Sequence, residues 1–377
     1  MVSGCQRLAE IEIGSGKSAR QAYSLDDLAL VPSRRTRDPN DVDLSWAIDA
    51  YTMALPLMVS ATDAVVSPAT AVAIGRLGGL AVLNLEGLWT RYEDPAPLFE
   101  EIASLPDDAV TGRLRQLYAE AVRPDLVGAC IRQVAEGGVV TCASLSPQRT
   151  AQFAKTVIEA ELDLLVVQGT VVSAEHVSSG SEPLNLKRFI REYDIPVVVG
   201  GCASHQVALH LMRAGAAGIL VGVGTGFAST TRAVLGLGPP QATAIADVAG
   251  ARRRHLEETG VYAQVIADGG MTTGGDIAKA IACGADAVMI GAPLAAASEA
   301  PGHGWYWDMS AGHASLPRGG RVPVPVQGTL AEVLLGPAPP TGEDGRVNLF
   351  GALRAAMAMC GYANTREFHK AEVAVRG

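Results

Sequence analysis

Asp268-Gly269-Gly270 closes one apolar run, 264–268, and Gly291-Ala292 closes a later one, 287–291. A carboxylate followed by two glycines can accept two hydrogen bonds from neighbouring hydroxyls, such as those of a ribose, while the glycines let backbone N–H groups approach an anion. The N–H groups of Gly270, Gly291 and Ala292 are the candidate cradle for a monophosphate, with Gly269 completing the turn. A third segment, Gly222-Val-Gly-Thr-Gly-Phe-Ala-Ser-Thr-Thr-Arg232, is a glycine-rich loop long enough to bend around a ligand. No histidine stands beside its hydroxyls to activate one as a nucleophile. Taken singly, Asp-Gly-Gly is a turn and Gly-x-Gly-x-Gly a flexible loop. Their places at the ends of successive apolar runs make them a candidate site.

Those runs belong to a longer series. Short, β-rich apolar stretches occur at 56–61, 80–84, 139–145, 163–168, 196–201, 218–223, 264–268 and 287–291. Amphipathic helical patterns lie between them, at 69–77, 148–160, 184–193, 206–214, 242–258 and 276–283. Strands apolar on both faces and alternating with helices imply a parallel sheet covered on both sides. One phrase recurs, a helix ending in a small residue and Gly before a strand ending in Gly: Arg213-Ala-Gly-Ala-Ala-Gly-Ile-Leu-Val-Gly222 and Ala282-Cys-Gly-Ala-Asp-Ala-Val-Met-Ile-Gly291. Eight such modules predict an α/β chain forming a single (β/α)8 barrel. A doubly wound sheet would more usually have five or six strands and a dinucleotide fingerprint after the first. Barrels of this kind carry their chemistry at the C-terminal ends of the strands and commonly bind phosphate after strands seven and eight, where Asp268 and Gly291 fall.

The whole chain, 1–377, reads as one domain with three additions. These are an N-terminal extension over 1–20, a short helical insertion over 85–138 after strand two, broken by Pro95, Pro97, Pro106 and Pro124, and an irregular Gly- and Pro-rich region over 299–345 after strand eight. The last is expected to form a flap or lid. A closing helix is expected over 347–360.

Bulk composition narrows the partners. With 48% hydrophobic residues and a mean hydropathy of +0.21, 377 residues can bury a large core. Thirty Lys and Arg against 39 Asp and Glu give a net charge of -9, a field that repels nucleic acid. Arg252-Arg253-Arg254 is the one tight basic cluster and is expected on a solvated helix face. Cys5, Cys130, Cys142, Cys202, Cys283 and Cys360 show no CxxC spacing, as in a reduced cytosolic chain without a metal site. No stretch approaches the ~20 apolar residues that cross a bilayer, and residues 1–18 lack a signal-peptide core, so a cytoplasmic location away from membranes is expected.

Read in order, Tyr23-Ser-Leu-Asp-Asp-Leu-Ala-Leu-Val-Pro32, Ser60-Ala-Thr-Asp63, Arg76-Leu-Gly-Gly-Leu80, Thr243-Ala-Ile-Ala-Asp-Val248, Val265-Ile-Ala-Asp-Gly-Gly270, Gly275-Asp-Ile-Ala-Lys-Ala280, Gly284-Ala-Asp-Ala-Val-Met-Ile-Gly291, Gly351-Ala-Leu-Arg354 and Gly361-Tyr362 resemble the IMP dehydrogenase/GMP reductase family. The resemblance runs from about 23 to 373. It is strongest to the actinobacterial IMP-dehydrogenase-related group, through Val31-Pro-Ser-Arg-Arg-Thr-Arg37, Leu184-Asn-Leu-Lys187 and an insertion too short for the family's regulatory (CBS) modules. It implies a purine nucleoside monophosphate held by Asp268, Gly269, Gly270, Gly291, Ala292 and Gly226. It also implies NAD or NADP stacked on the purine near Gln168, Gly169, Thr170, Gly222 and Gly224, a monovalent cation at the 222–229 loop, and a homotetramer.

The departures fall on the reacting end. Ser229 occupies the position of the family's catalytic cysteine, Phe227 that of a phosphate-binding serine, and Thr231 is kept. A serine hydroxyl without a base is a far weaker nucleophile than a thiolate. Gln168-Gly169-Thr170 stands where dehydrogenases place an aspartate, and Gly201 where they place an asparagine. Cys202 is expected at the barrel mouth, but on a different loop from the one that reaches the purine. The 305–321 segment matches neither the dehydrogenases' Arg-Tyr pair nor the reductases' Glu. Its Asp308, His313 and Arg318 are the candidates for proton transfer, and each reads first as a surface residue. Three functions follow from this pattern. They are a purine nucleotide oxidoreductase acting without a covalent thiol adduct, a nucleotide-binding regulatory or catalytically inactive paralogue, and a non-redox reaction such as hydrolysis or dehydration on the same nucleotide.

Overall fold

The computed structural model describes residues 10–177, 179, 183–311, 319–336 and 344–376. Cys5, His313, Arg318 and residues 337–340 lie outside the described residues.

Eight parallel crossings form a closed ring: Leu57–Val59 (strand one), Leu80–Ala81 continued by Leu83–Asn84 (two), Cys142–Leu145 (three), Leu164–Gln168 (four), Val197–Cys202 (five), Gly218–Val221 (six), Gln264–Asp268 (seven) and Ala287–Ile290 (eight). Strand eight pairs with strand one through Val288 and Leu57. Strand two is broken at Val82. Its first half pairs with strand one and its second with strand three, while Val82 N–H still donates to Val59 O at 3.1 Å. The (β/α)8 barrel expected from the sequence is therefore present, one of its strands in two pieces.

Period-two alternation divides the strand residues between two cores. Met58, Leu164, Val166, Val198, Leu220, Ile266 and Met289 fill the barrel interior. Leu165, Val167, Val199, Ile219, Val265 and Val288 face the surrounding helices. A hairpin, Trp46–Ile48 with Tyr51–Met53, plugs the N-terminal end of the barrel with Trp46, Ile48 and Met53. Each fully buried aliphatic side chain here contributes about 1.5–3 kcal/mol. The same alternation carries Gln168 and Asp268, one step past Val166 and Ile266, to the open end of the interior.

The insertion after strand two is helical, over Ala96–Ser104, Asp107–Leu117 and Pro124–Glu136. The third of these packs between Pro68–Arg76 and Pro147–Glu159 as the barrel's own crossover helix. The true excursion is thus the first two helices.

Arg252 departs from the solvated face expected of it. Arg253 and Arg254 are exposed, but Arg252 lies on the inward stripe of Gln241–Thr259 with Ile245, Val248 and His255. Its Nη1 donates to Asp286 Oδ2 at 2.6 Å and to Gly284 O at 3.2 Å, and its guanidinium lies 5.0 Å from the Tyr262 ring. Asp286 also accepts from the Tyr262 hydroxyl and Val265 N–H. Arg252→Ala strands a buried carboxylate and is expected to destabilise the fold by about 3–5 kcal/mol. Arg253→Ala is expected to stay within about 0.5 kcal/mol. Denaturant midpoints measure both.

Candidate active site

A cavity of ≈ 420 Å³ opens at the C-terminal mouth of the barrel. The thirteen residues that the resemblance assigns to substrate, cofactor or catalysis line it: Gln168, Gly169, Thr170, Gly222, Gly224, Gly226, Ser229, Thr231, Asp268, Gly269, Gly270, Gly291 and Ala292.

Asp268 lies on its floor, half-buried, with Gln168 Nε2 donating across the barrel to Oδ2 at 3.2 Å. Its main chain is fixed from two sides, since Asp268 O accepts from Thr225 Oγ1 at 2.6 Å and Gln241 Nε2 at 3.2 Å. A Cβ on Gly222 would stand 2.2 Å from that same carbonyl, so only glycine lets the strand-six loop pass. Gly269 and Gly270 then turn the chain with φ of +72° and +77°, two consecutive left-handed residues that side chains disfavour. Burial pushes the Asp268 carboxyl up to about 7, against the lowering effect of Gln168; the neighbouring Asp308 adds to the rise.

Gly269 N–H is engaged with Met289 O at 3.0 Å, whereas those of Gly270, Gly291 and Ala292 have no acceptor among the described residues. These three are the donors left for an anion. The start of helix Gly274–Ala282 does not line the cavity, and Asp276 there accepts from Thr272 N–H, Thr273 N–H and the Thr273 hydroxyl. Sequence reasoning missed Tyr306. It lines the cavity, and a Cβ on Gly291 would lie 3.0 Å from its hydroxyl and 3.1 Å from Ser60 Cβ. Gly291→Ala is expected to displace Tyr306 and weaken binding of a phosphate-bearing ligand about tenfold with little change in stability, as titration calorimetry and thermal unfolding would show. The signal for Tyr306 was the Trp305-Tyr-Trp307 triplet, an aromatic run in an otherwise irregular segment that must find a place to be buried.

Among the described residues no base accepts from the Ser229 hydroxyl. Its N–H donates to Gly226 O at 3.0 Å, its hydroxyl to Thr231 Oγ1 at 3.2 Å, and Thr231 N–H donates back to Ser229 Oγ at 3.3 Å. Asp308 corrects the expectation of a surface residue, since it is half-buried and lines the cavity. A Cβ on Gly226 would lie 3.6 Å from Ser229 Cβ and 3.9 Å from Asp308 Oδ2, so both side chains stand beside one glycine. Asp308 Oδ1 accepts from the Ser310 N–H at 2.8 Å and from the Ser310 hydroxyl; Oδ2 has no described partner. Burial raises its carboxyl above the ordinary range, with the Ser310 bonds working against the rise. The buried aromatic neighbours Tyr306 and Trp307 carry Asp308 inward, which no local pattern announces.

Cys202 is not at the mouth. The strand five–six register shifts between Val199 and Cys202, which turns the thiol into the outer core, 1% exposed, with Sγ 3.7 Å from Ser204 O. Burial lifts its thiol away from the reactive thiolate. The far wall brings in Asn84, Glu86 and Ser146, also missed, with Glu86 Oε1 accepting Ser146 N–H at 2.6 Å. Among the described residues no group of three or more His, Cys, Asp or Glu could hold a metal ion, and no helix is long and apolar enough to cross a membrane.

Fold and cavity together define a (β/α)8 barrel with a cavity at its mouth built from the strand-four, -six, -seven and -eight ends. The chain belongs to the IMP dehydrogenase/GMP reductase family of oxidoreductases: the model of the IMP dehydrogenase / GMP reductase domain matches residues 22–316. It is 50% identical over 376 residues to an uncharacterized oxidoreductase of Mycobacterium tuberculosis, covering 97% of this chain and 100% of that one. An uncharacterized oxidoreductase of Mycolicibacterium smegmatis is 49% identical over 374 residues, covering 97% and 99%. The crystal structure of an IMP dehydrogenase/GMP reductase-like protein from Corynebacterium glutamicum superposes with a TM-score of 0.92 at 44% identity, covering 97% and 98% of the two chains.

Proposed function

We propose that this chain is a purine nucleoside monophosphate oxidoreductase in which the Asp308 carboxyl moves a proton at the base, and no covalent adduct forms at position 229. The observation that carries this reading is that Asp308 Oδ2 and Ser229 Cβ both lie within 4 Å of the point where a Gly226 Cβ would stand, in the cavity that Asp268 floors. The phosphate takes the N–H groups of Gly270, Gly291 and Ala292 and the Tyr306 hydroxyl. The ribose hydroxyls donate to ionised Asp268, and the purine lies over Gly226.

The same cavity has polar groups left for a nicotinamide cofactor. The 168–170 turn is held by Gly169 N–H to Gly200 O at 2.8 Å, Gln168 Oε1 is buried without a partner, and Asn84, Glu86 and Ser146 extend the polar wall beyond the nucleotide. When bound, NAD or NADP supplies or accepts a hydride at a purine ring carbon. Burial favours the acid form of Asp308, which gives its proton to the adjacent ring nitrogen as the neighbouring carbon is reduced, so that C=N becomes CH–NH; in the oxidative direction water first adds across C=N, and the Asp308 carboxylate takes the nitrogen proton as the carbon bearing the new hydroxyl is oxidised to C=O. Ser229 and Thr231 hold the base by hydrogen bonds. The monovalent cation implied for the 222–229 loop has no part in this scheme, and the Gly226 carbonyl there already accepts the Ser229 N–H.

Incubation with IMP, XMP, GMP or AMP and either cofactor, oxidised or reduced, is expected to change NAD(P)H absorbance in at least one pairing. Silence in every pairing overturns the oxidoreductase assignment. Tight mononucleotide binding without turnover, unrestored by Ser229→Cys, would assign the chain to the binding-only paralogue that the joint departure of Ser229 and Phe227 also suits.

A further inference from the structure

Asp63, four residues beyond strand one, is 1% exposed and is not among the residues that line the cavity. Oδ2 accepts from the Tyr118 hydroxyl at 2.5 Å and from Leu88 N–H at 2.9 Å, while Oδ1 is buried without a partner. Gly87 must be glycine for this approach, because a Cβ there would stand 2.1 Å from Oδ1. Tyr118 caps helix Asp107–Leu117 of the insertion, and its oxygen in turn accepts the Trp307 indole N–H at 3.0 Å. Trp307 O is bound by the Thr62 hydroxyl, next to Asp63 in the chain. Three elements far apart in sequence therefore meet in one buried chain of hydrogen bonds: strand one, the insertion, and the segment after strand eight.

Apolar and cationic contacts run in parallel with that chain. Trp307, 1% exposed, stacks on Phe99 of Ala96–Ser104 with centroids 6.0 Å apart, and Phe99 stacks on Trp89 at 5.3 Å. Beyond it Arg321 donates to Ile102 O and Leu105 O and lies 3.8 Å over the Trp305 ring. Trp307 stands directly between Tyr306 and Asp308, so whatever fixes its indole fixes the two side chains that flank it at the cavity.

We propose that the two-helix excursion after strand two is a clamp that holds the post-strand-eight segment over the cavity, and that Asp63, Tyr118 and Trp307 are positioning residues for Tyr306 and Asp308. This rests on the assignment of Tyr306 and Asp308 to the nucleotide site. The geometry explains how a segment with little regular structure beyond the pairing of Trp305–Tyr306 with Val322–Pro323 can present a carboxyl and a phenol in fixed positions: a site held by buried, hydrogen-bonded partners is already organised before the ligand arrives. A sequence that lost either end of the chain of bonds would leave a buried donor or acceptor unpaired, so the three residues are expected to act as a unit.

The test compares Tyr118→Phe, which removes the shared oxygen and keeps the ring, with Trp307→Phe, which removes the indole N–H and leaves Tyr118 bonded to Asp63. Hydrogen exchange of the intact protein, read by mass spectrometry, is expected to speed up about tenfold or more over residues 305–311 in both variants, with the barrel strands as protected as before. IMP affinity is expected to fall about tenfold in both, and Asp63→Asn combined with Tyr118→Phe to be no worse than the worse single variant. Unchanged exchange over 305–311 in both variants, or fully additive effects of the pair, would overturn the clamp. If the unmodified protein binds neither IMP nor inorganic phosphate, the nucleotide assignment fails on its own, and the exchange measurements still decide the clamp.

Discussion

Asp268→Asn is expected to weaken IMP binding about a hundredfold and, at the same time, to make the protein more stable to heat above neutral pH. Two ribose hydroxyls donating to a carboxylate form charge-assisted hydrogen bonds, each contributing about 1.5–3 kcal/mol, and the amide keeps only one weaker acceptor. The stabilising half follows from the same burial. A carboxyl raised from 3.8 to about 7 in the folded protein disfavours ionisation there, so its cost is absent below pH 3.8, grows between 3.8 and 7, and is complete above 7. The full displacement would amount to about 4 kcal/mol, which water in the open cavity screens to roughly 2 kcal/mol. Asp268→Asn should therefore raise the melting temperature by about 2–4 °C at pH 8 and leave it unchanged near pH 4. Affinity should also fall as pH drops through 7 in the unmodified protein, because the proton on Asp268 must leave before the ribose can bind. In the variant only the phosphate's own titration, near ~6, should remain. Calorimetry at pH 6 and 8 reads both effects. Equal affinity in the two proteins would remove Asp268 from the ribose.

The same side chain marks how far the sequence alone reaches. Asp268, Gly270 and Gly291 are legible because they end strands whose two-sided apolar pattern is unmistakable, and a strand end in a parallel barrel has one place to be. Gln168 follows from the same alternation, although its contact with Asp268 across the barrel does not. Cys202 fails because a register shift, invisible in a run of valines and glycines, changes which face it takes. Arg252 fails because three consecutive arginines look alike, while only one of them falls on the helix stripe defined by Ile245, Val248 and His255. Asp308, named as a proton-transfer candidate but read first as a surface residue, and Tyr306, missed altogether, escaped placement for a different reason. The segment that carries them has no period of its own, and its path is set by Trp307 docking on Phe99 and Tyr118, residues about two hundred positions earlier in the chain. Local pattern locates residues on regular elements. Residues on irregular ones are located by whatever they pack against.

Asp308→Asn is expected to lower kcat by about 10²–10⁴-fold with the most active nucleotide and cofactor pairing, while changing the nucleotide Kd less than about threefold. The amide preserves the acceptor for Ser310 N–H and the shape of the site, and removes only the transferable proton. Ser229→Ala should cost less than about tenfold, because a hydroxyl whose one described hydrogen-bond acceptor is Thr231 Oγ1 contributes orientation and no bond-making. The order of the two effects separates an acid–base mechanism from a nucleophilic one: a covalent route through position 229 predicts the reverse. The pH profile is a second handle. Burial holds the acid form of Asp308 to a higher pH than an ordinary aspartate, so the rate of the reductive direction should fall as pH rises through its displaced pKa, and the oxidative direction should rise over the same range. Asp308→Asn should flatten both limbs. A profile that keeps its shape in that variant would place the proton on another group, and the carboxyl beside Ser229 would then serve only to shape the wall of the cavity.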